Sequence, residues 1–346
     1  MSFSESEIKD ILRYYDIGSL IKFSGKLEDG FQSENFHILT ENGDFVVRVL
    51  YDTEKNIKTC MRIYEYLAKH GVKTPAPMNT KEKRLFLSYK EQFVVIQSFL
   101  EGSDLSDDTK INQLLGFFGK ELGKIHTISK KMVDEFGKEI FVRDEDTIAS
   151  LRNMASRYPI KDDYINKQYQ EWEMEIEHLP VHLLTKAVIH GDVGPKDFFF
   201  KDDVYTGIID FNAAGYDYLL FDIAPMMMYC GLSYPKKIDD YVRFVRAYLE
   251  ESPIKKEEFK WLSTILKTRW LVQIFFHQYR YVKGIIRGLD SGKREENLQG
   301  VKDGKHFLKI LEKEDPLLNV NWKQEQRELH VDLMGNVQME VLTRII

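Results

Sequence analysis

Apolar positions first recur at helical spacing between Glu5 and Tyr15, with Gly18 as a stop. They then shorten to strand-like runs at 20–23, 35–40 and 45–50. Turns at Asp29-Gly30 and Asn42-Gly43 separate these runs, and the second is a strong hairpin signal because both residues tolerate positive φ. A helix is predicted next over 54–70. Ile57, Met61, Tyr64 or Glu65, and Ala68 recur at helical steps, Gly71 ends the pattern, and Pro75-Ala-Pro77 breaks the chain. Runs at 84–89 and 93–97 predict one more hairpin. Residues 1–100 therefore read as a lobe of mainly antiparallel strands with a helix, and 98–105 as a hinge.

From Asp107 the pattern becomes helical, over 110–127, 144–157, 162–179, 239–249, 255–286 and 295–311. The prediction is an α+β chain of two lobes, the second (106–312) larger and mainly helical. A length of 346 residues, 43% of them hydrophobic and 13% aromatic, is enough to fill a core in each lobe.

Charge and composition narrow the function. Acidic residues outnumber basic ones, 55 to 49, and no stretch interleaves Lys or Arg with aromatics, which argues against nucleic acid as a partner. The amino terminus has neither the basic nor the apolar region of a secretory signal and reads as a capped helix. The longest apolar stretch, 218–230, is broken by Asp222 and Pro225 and is too short to span a bilayer, so no membrane partner is expected. Cys60 and Cys230 supply neither a disulfide framework nor a zinc ligand set. A cytoplasmic protein is expected.

The chemistry concentrates in Val188-Ile-His-Gly-Asp-Val-Gly-Pro-Lys-Asp-Phe-Phe-Phe200, followed by Tyr205-Thr-Gly-Ile-Ile-Asp-Phe211. A short buried strand leads into a loop punctuated by Gly191, Gly194 and Pro195, and a hairpin then delivers a further acid. Asp192, Asp197 and Asp210 are thereby presented by strand ends and one tight loop. Transfer of a γ-phosphoryl group needs an in-line hydroxyl, a group that orients it and accepts its proton, and cations that bridge phosphate oxygens. Asp192 is the candidate for the second role. Asp210 is the candidate ligand for magnesium, which prefers carboxylate oxygens and keeps several waters. His190 braces the loop rather than transferring a proton.

His190-Gly-Asp192, Asp197, Ile208-Ile-Asp-Phe211 and Asp222 together resemble the aminoglycoside phosphotransferase and choline kinase superfamily, whose fold is protein-kinase-like. The wording around this motif, and that of Tyr66-Leu-Ala-Lys-His-Gly-Val-Lys-Thr-Pro75, is most similar to the homoserine kinase branch. The resemblance covers roughly residues 3–312. It implies Mg2+ and ATP or GTP, with Arg48 clamping phosphates from strand 45–48 and Asp222 anchoring the motif loop. It also implies a phosphate-covering loop over 25–35 with Gly30 and Ser33, and Ser98, Phe99 and Leu100 beside the adenine. The acidic helix partner expected for Arg48 is not obvious, since Cys60 takes the aligned place and Glu54 and Glu65 lie nearby. His126 resembles a recurrent structural histidine. Arg269, Trp270, His277 and Tyr281, with Tyr279 and Arg280, fall on the helix where acceptor contacts are expected.

Asp197 departs from the family pattern, which has Asn there. Three carboxylates about 5 Å apart repel by roughly 3 kcal/mol per pair at an effective dielectric of about 20, so without a cation one should have a raised pKa. The extra charge either strengthens metal binding or marks an impaired site. The predicted function is phosphoryl transfer to a hydroxyl of a small molecule, a homoserine-like amino alcohol first and an aminoglycoside or other antibiotic second. A nucleotide-binding pseudoenzyme is the alternative from a different class. Residues 313–346 resemble a fragment of a domain from translational GTPases of the elongation factor G and tetracycline ribosomal-protection type, and read as a fusion-like tail.

Overall fold

The computed structural model describes residues 3–27, 33–105, 107–230, 238–289 and 291–314. Helix α1 (Glu5–Leu12) opens on a capping box, in which the Ser4 hydroxyl accepts the Glu7 N–H and the Glu7 carboxylate accepts the Ser4 N–H at 2.8 Å. Strands β1 (Leu20–Lys26), β2 (Ser33–Thr40) and β3 (Gly43–Leu50) form an antiparallel meander with the predicted turn at Asn42-Gly43. Helix α2 (Glu54–Lys69) follows, then β4 (Leu87–Tyr89) and β5 (Gln92–Ser98), giving the sheet order β1-β2-β3-β5-β4.

Period-two alternation assigns the two faces of this sheet. Val47, Val49, Val94 and Ile96 join Phe36, Ile38 and the α1 residues Ile8, Ile11 and Leu12 in one buried cluster. Arg48, between the two valines, points to the opposite face and lines the cleft described below. Against that face α2 packs Cys60, Met61, Ile63, Tyr64 and Leu67, in a second core that runs on into the helices of the larger part.

The larger part contains α3 (Asp108–Gln113), α4 (Leu115–Phe136), α5 (Thr147–Arg157), α6 (Asp163–Glu177), strand β6 (Lys186–Ile189), hairpin β7 (Phe198–Lys201) and β8 (Val204–Ile208), and strand β9 (Gly215–Tyr218). Helices α7 (Leu220–Tyr229), α8 (Ile238–Glu251), α9 (Leu262–Lys283) and α10 (Glu296–Glu314) complete it. An antiparallel-sheet lobe with helices followed by a larger helical lobe is the predicted fold class. Several details differ. The 110–127 pattern divides into α3 and a longer α4, and 255–286 begins as a 3-10 turn at Lys256–Trp261. Only the end of 84–89 is a strand, because Arg84 closes a turn by accepting the Thr80 N–H and Lys83 has a φ of 60°. Strand β9 was not foreseen, since its four residues are strand only through pairing with the distant β6.

The β7–β8 hairpin is bolted to the first lobe. Ile208 donates its N–H to the Lys73 carbonyl at 2.8 Å, Thr74 Oγ1 donates to the Ile208 carbonyl at 2.8 Å, and Ser103 exchanges backbone bonds with Phe200. Gly207 makes this approach possible, since a Cβ there would lie 2.6 Å from the Lys73 carbonyl oxygen. Gly207→Ala is expected to destabilise the fold by about 2 kcal/mol through overpacking, read from urea unfolding. An unchanged midpoint would mean that the hairpin is not held this tightly.

Candidate active site

Strand β6 ends at Ile189 and releases the loop that carries Asp192. Gly191 has a φ of 89°, a left-handed conformation that favours glycine, and packs on the Ala213 backbone. Asp222, fully buried on α7, fixes the loop by accepting the His190 N–H at 2.6 Å and the Gly191 N–H at 2.7 Å. His126 of α4 meets the same carboxylate at 2.9 Å and Tyr248 Oη at 2.7 Å. Burial by itself would raise the Asp222 pKa. The His126 hydrogen bond and the nearby imidazoles outweigh it and hold the carboxyl below the ordinary range. His190 is buried, pairs with the Ile209 carbonyl at 2.8 Å and lies against Phe211. Burial would depress this imidazole too, but Asp197, Asp222, the Ile209 carbonyl and Asp210 raise it.

The three carboxylates of the motif converge on one cleft of about 830 Å³ between the lobes. Asp192 leaves half of its side-chain surface open to the cleft, accepts from Tyr229 Oη at 3.0 Å and pairs with the Arg269 guanidinium. The enclosing walls raise its pKa, and the Arg269 charge holds the rise in check. Asp197 takes the Gly194 N–H at 2.6 Å and is pushed up to about 7 by desolvation, against the pull of His190 and with the repulsion of Asp210 and Asp192. Asp210 is exposed to the cleft and sits at φ 68°, ψ 41°, a left-handed conformation that costs a non-glycine residue of order 1–3 kcal/mol and is found where surrounding structure enforces it. Here α2 enforces it. Tyr64 Oη accepts the Phe211 N–H at 3.1 Å, and the Cys60 thiol donates to the Phe211 carbonyl at 3.1 Å.

Arg48 is buried among neutral partners. Its Nε donates to Asn35 Oδ1 at 3.0 Å, Nη1 to Gln97 Oε1 at 2.8 Å, and Nη2 to Asn212 Oδ1 at 3.1 Å and Ser33 Oγ at 3.4 Å. Among the described residues no acidic helix residue reaches it. Glu65 pairs with Lys69 at 3.1 Å, Glu54 is exposed at the start of α2, and Cys60 is spent on Phe211. The guanidinium charge therefore faces the cleft without a carboxylate bound to it. Ser98, Phe99 and Leu100 line the same cleft. The Ser98 and Phe99 amides are taken by the Ala76 and Asp44 carbonyls, and among the described residues nothing accepts from the Leu100 amide.

At the other end, Arg269, Gln273, Phe276 and His277 of α9 line the cleft. Gln273 Nε2 donates to Tyr229 Oη at 3.0 Å, and Arg269 Nε is buried without a partner. Trp270 and Tyr281, expected here, are elsewhere. Trp270 stacks on Phe307 of α10 with centroids 4.3 Å apart, and the Tyr281 ring carries Arg294 at 5.0 Å. Arg269 and Trp270 are consecutive, so the helix turns them about 100° apart, and while Arg269 faces the cleft Trp270 faces α10. Gly30 and the 315–346 part of the expected tail lie outside the described residues. Tyr229, Gln273, Asn212 and Arg143 went unrecognised. Gln273 was findable, one helical turn beyond Arg269, and Asn212, two residues beyond Asp210; Tyr229 and Arg143 touch the site only through distant pairings.

The carboxylates fit magnesium as it is held beside a nucleotide. No group of three potential metal-ligating side chains occurs among the described residues. Magnesium with a nucleotide uses one or two carboxylates and takes its other ligands from phosphates and water. Burial raises the Asp197 pKa first and the repulsion of Asp210 and Asp192 adds to it, and a cation bound there would favour the ionised form.

The sequence profile of the phosphotransferase enzyme family matches residues 26–257. The chain belongs to that family. A homoserine kinase of Azorhizobium caulinodans is 26% identical to this phosphotransferase over 229 residues, covering 64% of this chain and 68% of that one. Another, of Beijerinckia indica, is 27% identical over 237 residues with the same coverage, 64% and 68%. An amicoumacin kinase in complex with AMP-PNP, Ca2+ and Ami has a TM-score of 0.67 at 13% identity, covering 90% of this chain and 94% of that one. A spectinomycin phosphotransferase in complex with ADP and its antibiotic has a TM-score of 0.58 at 16% identity, covering 90% and 99%. These likenesses identify the protein-kinase-like fold, and the phosphotransferase is a small-molecule kinase. Among the described residues no helix is long and apolar enough to cross a membrane.

Proposed function

We propose that this enzyme transfers the γ-phosphoryl group of ATP to a hydroxyl of a small amino alcohol that carries a carboxylate, a homoserine-like acceptor. The observation that carries this reading is the meeting of Asp192, Asp197, Asp210 and Arg48 on one cleft whose acceptor end holds Arg269. Asp192 orients the acceptor hydroxyl and takes its proton as the oxygen attacks phosphorus, while the bond from the γ-phosphorus to the β–γ bridging oxygen breaks and ADP leaves. Arg48 holds phosphate oxygens, and the Leu100 amide is a free donor for the adenine ring. Asp210 and Asp197 would hold magnesium, which when bound neutralises charge on the phosphates. Cytoplasmic residence belongs to the same reading and suits the two buried cysteines, which are not joined in a disulfide.

Arg269 favours an acceptor with a carboxylate, because it places a guanidinium on the lining of the cleft and a planar guanidinium pairs readily with carboxylates. The named relatives support the same choice. Glu145 and Asp146 at another part of the cleft favour a second reading, a polycationic antibiotic. Both acids are already engaged, Glu145 by Asn153 at 2.7 Å and Asp146 by the Ala149 N–H at 2.8 Å, which weakens it.

The test is ADP formation by purified enzyme with homoserine, 3-aminopropanol and an aminoglycoside. Homoserine should be preferred. Arg269→Gln should lower kcat/KM for both acceptors, because Asp192 loses its partner, and should lower it about 30-fold more for homoserine than for aminopropanol, as expected for the loss of a charge-assisted hydrogen bond. Equal losses on both acceptors would remove the carboxylate role, and preference for the aminoglycoside would favour the second reading.

A further inference from the structure

The phosphate clamp and the metal ligand of this site do not touch each other; one side chain lies between them. Asn212 Oδ1 accepts from Arg48 Nη2 at 3.1 Å, and Asn212 Nδ2 donates to Asp210 Oδ1 at 2.6 Å. The chemistry of the partners settles the amide's orientation. A guanidinium only donates and an ionised carboxylate only accepts, so the residue between them has to accept on one side and donate on the other. The backbone of Asn212 is also held. Its carbonyl accepts from Arg143 Nη1 at 2.8 Å, and the preceding Phe211 is bonded through both N–H and carbonyl to α2. Arg143 in turn pairs with Asp52 at 3.1 Å, just ahead of α2.

We propose that Asn212 is a positioning residue that couples the nucleotide clamp to the metal site, replacing the acidic α2 partner that Arg48 lacks. This deepens the phosphotransfer reading and rests on it. An acid bound to Arg48 would fix the guanidinium but spend part of its charge. A direct Arg48–Asp210 salt bridge would occupy both groups with each other. The neutral amide keeps them in register while leaving the cation for phosphate oxygens and the second Asp210 oxygen for a metal ion. Nucleotide and metal are then bound as one unit.

Coupling is read by calorimetry with AMP-PNP, with and without Mg2+, on full-length native protein, Asn212→Ala and Asn212→Asp. Magnesium should tighten AMP-PNP binding to the native protein. In Asn212→Ala that gain should shrink about tenfold, the worth of a hydrogen bond to a charged group, while metal-free binding changes less than about twofold. Asn212→Asp keeps the size, pairs directly with Arg48 and repels Asp210. It should therefore weaken metal-free binding as well. Thermal midpoints identify any variant that has lost its fold, and the two substitutions make opposite demands on packing and charge. If the magnesium gain is the same in native protein and both variants, or if Asn212→Ala weakens binding equally with and without metal, Asn212 is no bridge. If the native protein itself shows no magnesium gain, the phosphotransfer reading fails, and the coupling role with it.

Discussion

Asp192→Asn turns acceptor over about 10³-fold more slowly than the native enzyme while binding magnesium–nucleotide with similar affinity, as expected when a general base becomes an amide of the same shape. Asn at this position can still accept from Arg269 and Tyr229, which hold the native carboxylate, so the loop set by Asp222 should keep its place. Only the ability to take a proton is removed. The native enzyme should also lose kcat/KM as pH falls through the raised Asp192 pKa, because protonation makes the same change reversibly. The measurement is initial-rate ADP formation with homoserine between pH 5 and 8 for both proteins. A variant that kept a tenth or more of native turnover would leave Asp192 out of the chemistry.

The candidate catalytic segment was legible because it is local. Asp192, Asp197 and Asp210 lie within one strand–loop–hairpin unit, so their spacing and the flanking apolar runs carry most of the geometry. The first sheet was legible for the same reason. Its strands are sequential neighbours, and Asn42-Gly43 declares the turn between β2 and β3. What escaped depends on contacts distant in sequence. Arg269 meets Asp192 across 77 residues, Tyr229 is concealed at the end of an apolar run that reads as plain core, and Arg143 reaches Asn212 across 69. The partners of Arg48 escaped because three different elements supply neutral groups where the resemblance led to an acid. On α9 the difficulty was of another kind. So many of its side chains are buried, from Leu262 to Phe275, that no apolar stripe tells the cleft side from the α10 side.

On the proposed reading, magnesium at Asp197 has to compete with a proton. The carboxyl is pushed up to about 7 by desolvation and by the repulsion of Asp210 and Asp192, so in the metal-free protein it is largely protonated below that pH. A raised carboxyl pKa means that the folded protein binds more protons than the unfolded chain between the ordinary carboxylate range and about 7. This group therefore lowers stability as pH rises through that window, and the loss levels off above it. Magnesium bound to the ionised form reverses the sign, because metal binding releases the proton. Below pH 7 each unit should cost about tenfold in the Asp197 share of affinity, close to a hundredfold between pH 8 and pH 5. Asp197→Asn has no such proton, and nucleotide protonation affects both proteins alike. The ratio of magnesium affinities, native to variant in the presence of AMP-PNP, should therefore fall about a hundredfold from pH 8 to pH 5. A ratio independent of pH would mean that Asp197 is not a ligand. Turnover then separates the two consequences of the extra charge. A native enzyme whose turnover falls more steeply with decreasing pH than that of Asp197→Asn uses Asp197 as a strong ligand, whereas activity in Asp197→Asn alone would show that the carboxylate disables the site.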